Sequence, residues 1–295
     1  MKRRIVISGA SGLIGSALSD SLRADGAEVT TLVRRPPRDG SEIQWAPGEH
    51  PLHADILAGA DAVVALGGAS VGRLPWTRAY RRELVRSRLQ ATGSLATALR
   101  ALGADAPAFV SASAVGYYGS APGAVLDESS AAGDTFLAKL CVRWEDEARR
   151  AGDDVRVALL RTAPVIHPRG VLKPLITLTR LRVSGPLGTG IQVWPWISLD
   201  DEVRAIRHVI DEQLDGPVNL TGPTAATAND IGRALARKMN RPFWLPAPAW
   251  ALRFGLGAAA DSLLLSDADV RPAALEKSGF RFTHATAQEA VDAAV

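Results

Sequence analysis

The segment Gly9-Ala10-Ser11-Gly12-Leu13-Ile14-Gly15 restricts what this chain can fold into more than any other. It follows the β-branched run Arg4-Ile5-Val6-Ile7-Ser8 and leads directly into a helical pattern from Ile14 to Ala24. A second strand pattern, Glu28 to Val33, comes next. Strand, glycine turn, helix and strand in this order make one half of a dinucleotide-binding fold. One glycine permits the tight turn, one lets backbone approach a pyrophosphate, and one lets helix pack closely on strand. The phosphates then sit at the positive end of the helix, where N–H groups lack partners. Gly9, Ser11, Gly12, Leu13, Ile14 and Gly15 are therefore the expected cofactor cradle.

The end of the second strand selects the dinucleotide. A carboxylate there accepts from the ribose hydroxyls of NAD, whereas this chain carries Arg34-Arg35. Guanidinium groups clamp a 2′-phosphate, so the expected cofactor is NADP. The alternative is that these arginines are solvated strand-end charges.

Apolar strand patterns continue at Asp61 to Leu66, Ala108 to Ser113 and Arg156 to Leu160, separated by helical patterns at about 77–102 and 135–151. That alternation predicts a Rossmann-like, doubly wound parallel α/β sheet covered on both faces. Leu66, Gly67 and Gly68, and Ala112 with Ser111 and Ser113, fall at carboxyl ends of strands, the edge where such sheets bind ligands. After about residue 165 the pattern turns loop-rich, with Trp194 and Trp196 among glycines and prolines. Val218 to Leu220 reads as a strand, Ala228 to Met239 as a helix, and Gly279 to Phe282 as strand-like. The expected organisation is an NADP-binding core over 1–165 and a smaller α+β lobe over 166–295 that packs on it.

Composition excludes several classes. A net charge of +3 with arginines dispersed along the chain gives no clustered basic surface for nucleic acid. The single cysteine, Cys141, allows neither an internal disulfide nor a cysteine metal site. Five histidines show no metal spacing, and no apolar run reaches the roughly 18–20 residues that span a bilayer. The chain reads as a soluble cytoplasmic protein, monomer or homodimer, without a metal.

Gly9 to Gly15, the stretch Ser111-Ala112-Ser113-Ala114-Val115-Gly116-Tyr117-Tyr118-Gly119, and Trp144-Glu145 resemble the epimerase-type branch of the short-chain dehydrogenase/reductases. More narrowly, Gly185 to Gly190, Trp196 to Asp201, Leu263 to Ser266 and Gly279 to Phe282 resemble bacterial epimerase-family proteins with their own carboxy-terminal domain, here about 245–295. The resemblance implies an NADP-binding oxidoreductase or epimerase acting on a small molecule, its substrate unidentified. It also implies a serine that orients the substrate oxygen, with Ser113 in that place and Ser111 as the alternative. The tyrosine and lysine that complete such sites are missing, since counting back from Glu145 puts Cys141 at the lysine and Leu137 at the tyrosine. Lys139 is two residues off, roughly 200° around a helix from Cys141. Tyr117 and Tyr118 are the candidate replacement phenols. Arg88 and Arg161 are candidate anion or cofactor contacts, for which surface salt bridges are the expected reading. The loss of the pair also admits a non-catalytic NADP-binding sensor or regulatory protein.

Overall fold

The computed structural model describes residues 2–295. In chain order the elements are β1 (Arg4–Ser8), α1 (Leu13–Ala24), β2 (Glu28–Val33), β3 (Glu42–Gln44), β4 (Ala62–Ala65), α2 (Arg78–Leu102), β5 (Ala108–Ala114), β6 (Val125–Leu126) and α3 (Phe136–Arg149). They continue with β7 (Val157–Thr162), β8 (Val165–Ile166), α4 (Leu172–Arg180), β9 (Ile197–Ser198), α5 (Leu199–Asp211), β10 (Gly216–Leu220) and α6 (Ala228–Lys238). The chain ends with α7 (Ala249–Leu256), β11 (Asp269–Val270), α8 (Ala273–Lys277) and α9 (Ala287–Ala294).

Seven strands form one parallel sheet in the order β10-β7-β5-β4-β1-β2-β3. Alternation along each strand divides its side chains between two cores. Ile5, Ile7, Val64, Val110 and Leu160 face α1 and α5, whereas Val6, Val63, Phe109 and Leu159 face α2 and α3. Each fully buried side chain of this size contributes about 1.5–3 kcal/mol relative to exposure. The chain winds outward from β1 through β2 to β3, then returns and winds the other way from β4 to β10. A crevice therefore opens between the carboxyl ends of β1 and β4, at the point where the winding reverses.

The second lobe has its own core, in which Trp194, Trp196, Ile176, Leu235 and Val291 come together from α4, α6, α9 and the intervening loop. Its tail returns to the sheet domain: β11 pairs with β6, and α8 packs on β10. Leu256 and Leu263 pack with Trp76, Leu84 and Leu140, so the tail also lies across the starts of α2 and α3. No helix among the described residues is long and apolar enough to cross a membrane.

One expectation needs correction, and one strand carried no sequence signal. Gly279 to Phe282 is not a strand; Phe280 and Phe282 stack edge-to-face on each other, and Phe280 does the same on His208 of α5. The edge strand β3 was not legible, being only three residues long and lacking a fully buried side chain.

Glu202, in the first turn of α5, is wholly buried. Thr162 Oγ1 donates to its Oε1 at 2.9 Å, and Oε2 has no partner. Burial pushes the carboxyl from its ordinary 4.5 up to about 8, so the folded chain holds a proton that the unfolded chain releases. This contribution is complete below about pH 4.5 and is lost as pH rises to about 8. Stability measured by urea unfolding should fall across that window by up to about 1.4 kcal/mol per pH unit. Glu202→Gln should remove that slope; equal slopes in both proteins would contradict it.

Candidate functional site

The glycine turn and the end of β4 meet backbone to backbone. Gly9 has a φ of +81°, and a Cβ there would lie 2.7 Å from both Gly67 N and Leu66 C. A Cβ on Gly15 would lie 2.3 Å from Gly9 O, so the helix approaches the turn too closely for any side chain. Gly12 N donates to Gly9 O at 3.0 Å, closing the turn. The α1 N-terminus has no side-chain cap and no acidic residue in its first turn. Its free N–H groups open at the crevice beside exposed Ser11 and Gly12. Open donors, a positive helix end and close backbone fit a dinucleotide pyrophosphate. Leu13, Ile14, Leu66 and Gly67 are half-buried around this turn, and a Cβ on exposed Gly68 would meet the Arg88 side chain at 3.2 Å.

The two arginines after β2 differ. Arg35 makes a two-pronged pair with Glu42, its Nη1 donating at 2.7 Å and its Nη2 at 2.5 Å. Arg38 N also donates to Glu42, and the Arg35 and Arg38 contacts hold that carboxyl down to about 2. Arg34 is exposed and has no ion-pair partner among the described residues.

At the other side of the crevice, β5 delivers Ser113 to a buried network. Ser113 Oγ donates to Glu145 Oε1 of α3 at 2.8 Å. Arg161 of β7 grips the same carboxylate through Nε at 2.9 Å and Nη2 at 3.0 Å. Arg161 Nη1 also donates to Tyr118 Oη at 2.9 Å, and Tyr118 Oη donates to Asn219 Oδ1 at 2.7 Å. The Glu145 and Arg161 side chains are 1% and 3% exposed, so this is an interior ion pair. The sequence expectation of a surface salt bridge at Arg161 is therefore overturned. Arg88 corrects in the same direction: it is half-buried, donates to Ala69 O and Leu84 O, and lies against the Trp144 ring.

Proton inventory separates the three candidate hydroxyls. A hydroxyl has one proton to give. Ser113 gives its proton to Glu145 and Tyr118 gives its to Asn219; burial also raises the Tyr118 phenol to about 12. Tyr117 is half-buried, stacks flat under the Arg161 guanidinium at 3.5 Å, and packs edge-on against Tyr118. Its hydroxyl has no partner among the described residues. Ala112, between Ser111 and Ser113 on β5, is half-buried at the same edge.

A model of the NAD dependent epimerase/dehydratase family matches residues 5–220, and a model of a domain of unknown function (DUF1731) matches 247–294. The chain belongs to the NAD-dependent epimerase/dehydratase family. An epimerase family protein of Mycobacterium tuberculosis is 42% identical over 97% of this chain and 96% of its own. The structure of human epimerase family protein SDR39U1 with NADPH superposes with a TM-score of 0.88 at 28% identity, covering 99% of this chain and 98% of that one. A nucleoside-diphosphate sugar epimerase from Corynebacterium glutamicum gives 0.81 at 30% identity, covering all of this chain but 58% of that one.

Within this epimerase-family frame, the places of the missing tyrosine and lysine are filled by apolar packing. Leu137 packs its Cβ side toward Gly116, and Cys141 is buried, its thiol pushed up to about 12 by burial and the Glu145 charge. Lys139 is exposed on another face of α3. Sequence reasoning used Glu145 only as a family marker and did not foresee its partner Arg161; Glu42 and Asn219 gave no signal, because their roles depend on contacts distant in sequence. Asp200, Asp201 and His284 gather closely, but Asp201 already accepts from Ser198 Oγ, Thr283 N, His284 N and Arg204 Nη1. Ser198 caps α5, with Asp201 as its reciprocal partner.

Removing one partner of a buried ion pair leaves the other charge uncompensated. Glu145→Gln should therefore cost about 3–5 kcal/mol in urea unfolding. A loss under about 1 kcal/mol, the range of an exposed pair, would contradict this assignment.

Proposed function

We propose that this epimerase-family chain binds NADP(H) and acts as an oxidoreductase on a small hydroxyl or carbonyl substrate, with Tyr117 as the proton-transferring group. The observation that carries the reading is the free Tyr117 hydroxyl, set beside two hydroxyls whose protons are already given away. NADPH, when bound, supplies hydride. The chain's own residues hold the pyrophosphate at Gly9 to Gly15, orient the Tyr117 ring against Arg161, and move a proton at Tyr117 Oη. NADP rather than NAD is supported by Arg34, which is free to meet a 2′-phosphate, and by the NADPH found with human SDR39U1. Arg35 has its fork engaged by Glu42 and contributes less.

A second reading, a cofactor-binding regulatory protein without turnover, draws on the ion pair that ties up Ser113 and on Leu137 and Cys141 in the usual catalytic places. A panel of aldehydes, ketones and nucleotide sugars, scored by NADPH oxidation, separates the two. The oxidoreductase reading expects turnover that Tyr117→Phe lowers by about 10²–10⁴-fold with NADPH affinity unchanged. Retained NADPH binding with no turnover across the panel would sink it.

The cofactor assignment has its own test. A charge-assisted contact is worth about 1.5–3 kcal/mol, so Arg34→Ala should weaken NADPH binding about 10–100-fold and leave NADH binding alone. Equal losses for both dinucleotides in a fluorescence titration would overturn it.

A further inference from the structure

A cavity of about 130 Å³ lies inside the second lobe, away from the cofactor crevice. It is enclosed by α4, α6 and two extended segments, 183–187 and 243–247, which hydrogen-bond to each other through Ser184 O, Pro186 O and Ala247 O. Leu175, Leu187, Trp194, Leu235 and Phe243 give it apolar walls. Two of its polar side-chain groups are engaged elsewhere: Ser184 Oγ donates to Pro242 O at 2.9 Å, and Trp194 Nε1 to Leu264 O at 3.1 Å. Among the described residues the Thr179 hydroxyl is the one lining hydroxyl without a partner. Leu178, Val183 and Leu245 line the cavity while remaining more than a third exposed, which marks its entrance.

An apolar void of about 150 Å³ stays dry in water and takes up benzene. A group of that size recovers the dispersion contacts that an empty lining forfeits. One unengaged hydroxyl among apolar walls gives such a group an orientation.

The walls are also tied to the candidate site. Gln192 Nε2 donates to Leu187 O at 3.0 Å and to Leu264 O at 2.8 Å, and Trp194 holds the same carbonyl. Two and three residues further on, the stretch is held to the loop that follows Tyr117 and Tyr118. Ser266 Oγ donates to Gly119 O, Asp267 N to Ser120 Oγ, and Ala121 N to Asp267 O. Residues 264–268 are thus gripped by the cavity wall on one side and by the loop after Tyr118 on the other.

We propose that this cavity is a second binding site, for a monocyclic aromatic or similarly sized alkyl group carrying one polar substituent, and that its occupancy is transmitted through residues 264–268 to the cofactor crevice. The transmission rests on the NADP(H) reading; the site itself does not.

Phenol is the probe. Calorimetric titration of the cofactor-free protein reads the site, and NADPH titration with and without saturating phenol reads the coupling. The expected results are saturable, single-site phenol binding and an NADPH affinity changed about fivefold or more by phenol. Ala228→Leu and Ala247→Leu fill the cavity from opposite walls. Either one, if folded by circular dichroism, should abolish phenol binding and leave an NADPH affinity that phenol no longer changes. Absence of saturable phenol binding, unchanged phenol affinity in both filled variants, or an NADPH affinity indifferent to phenol would each overturn the proposal. Failure of NADPH to bind at all would strike the cofactor reading instead, and the phenol titration would still decide the site.

Discussion

The buried pair between Glu145 and Arg161 is the constraint around which the candidate site is arranged. An uncompensated charge at that depth costs several kcal/mol, so each side chain must stay with its partner. The pair ties α3 to β7, and through Ser113 it reaches β5. Through Tyr118 and Asn219 it reaches β10, and Asn219 Nδ2 donates onward to Arg271 O in the returning tail. One electrostatic requirement thus joins three strands, a helix and the carboxy-terminal segment. Its chemical consequence is the loss of two hydroxyls from the pool available to a substrate.

The cofactor crevice is governed by a different kind of force. There the requirement is steric, since Gly9 and Gly15 leave no room for a Cβ between the turn, the start of α1 and the end of β4. Close approach is what exposes the helix N–H groups to an anion. A chain can preserve this cradle while changing the chemistry beside it, because the two depend on separate residues. Here the cradle is that of an NAD-dependent epimerase/dehydratase family member, whereas Leu137 and Cys141 replace the tyrosine and lysine that such sites ordinarily use.

How much of this was legible in the sequence follows from the range of each interaction. β1, α1, β2, α2, α3 and β7 are written in local periodicity, and the glycine turn is a contiguous motif, so both could be read directly. The absence of the Tyr-Lys pair was equally plain by counting from Glu145. The burial of Arg161 and the partial burial of Arg88 were not, because a long cationic side chain on its own suggests solvent, and the Glu145 carboxylate and Ala69 carbonyl that hold them lie outside their own elements. The engagement of Arg35 by Glu42 depends on the three-residue edge strand β3, too short to announce itself. Tyr117 and Tyr118 were indistinguishable as neighbours in sequence; hydrogen bonds of Tyr118 to Asn219, 101 residues away, and from Arg161 separate them.

The most direct test of this account is a crystal structure of the chain with NADPH bound. The account predicts an intact Glu145–Arg161 pair, Ser113 and Tyr118 still hydrogen-bonded within their network, and the Tyr117 hydroxyl facing the nicotinamide. A broken pair with Ser113 turned toward the cofactor, or a nicotinamide beyond reach of Tyr117, would contradict it.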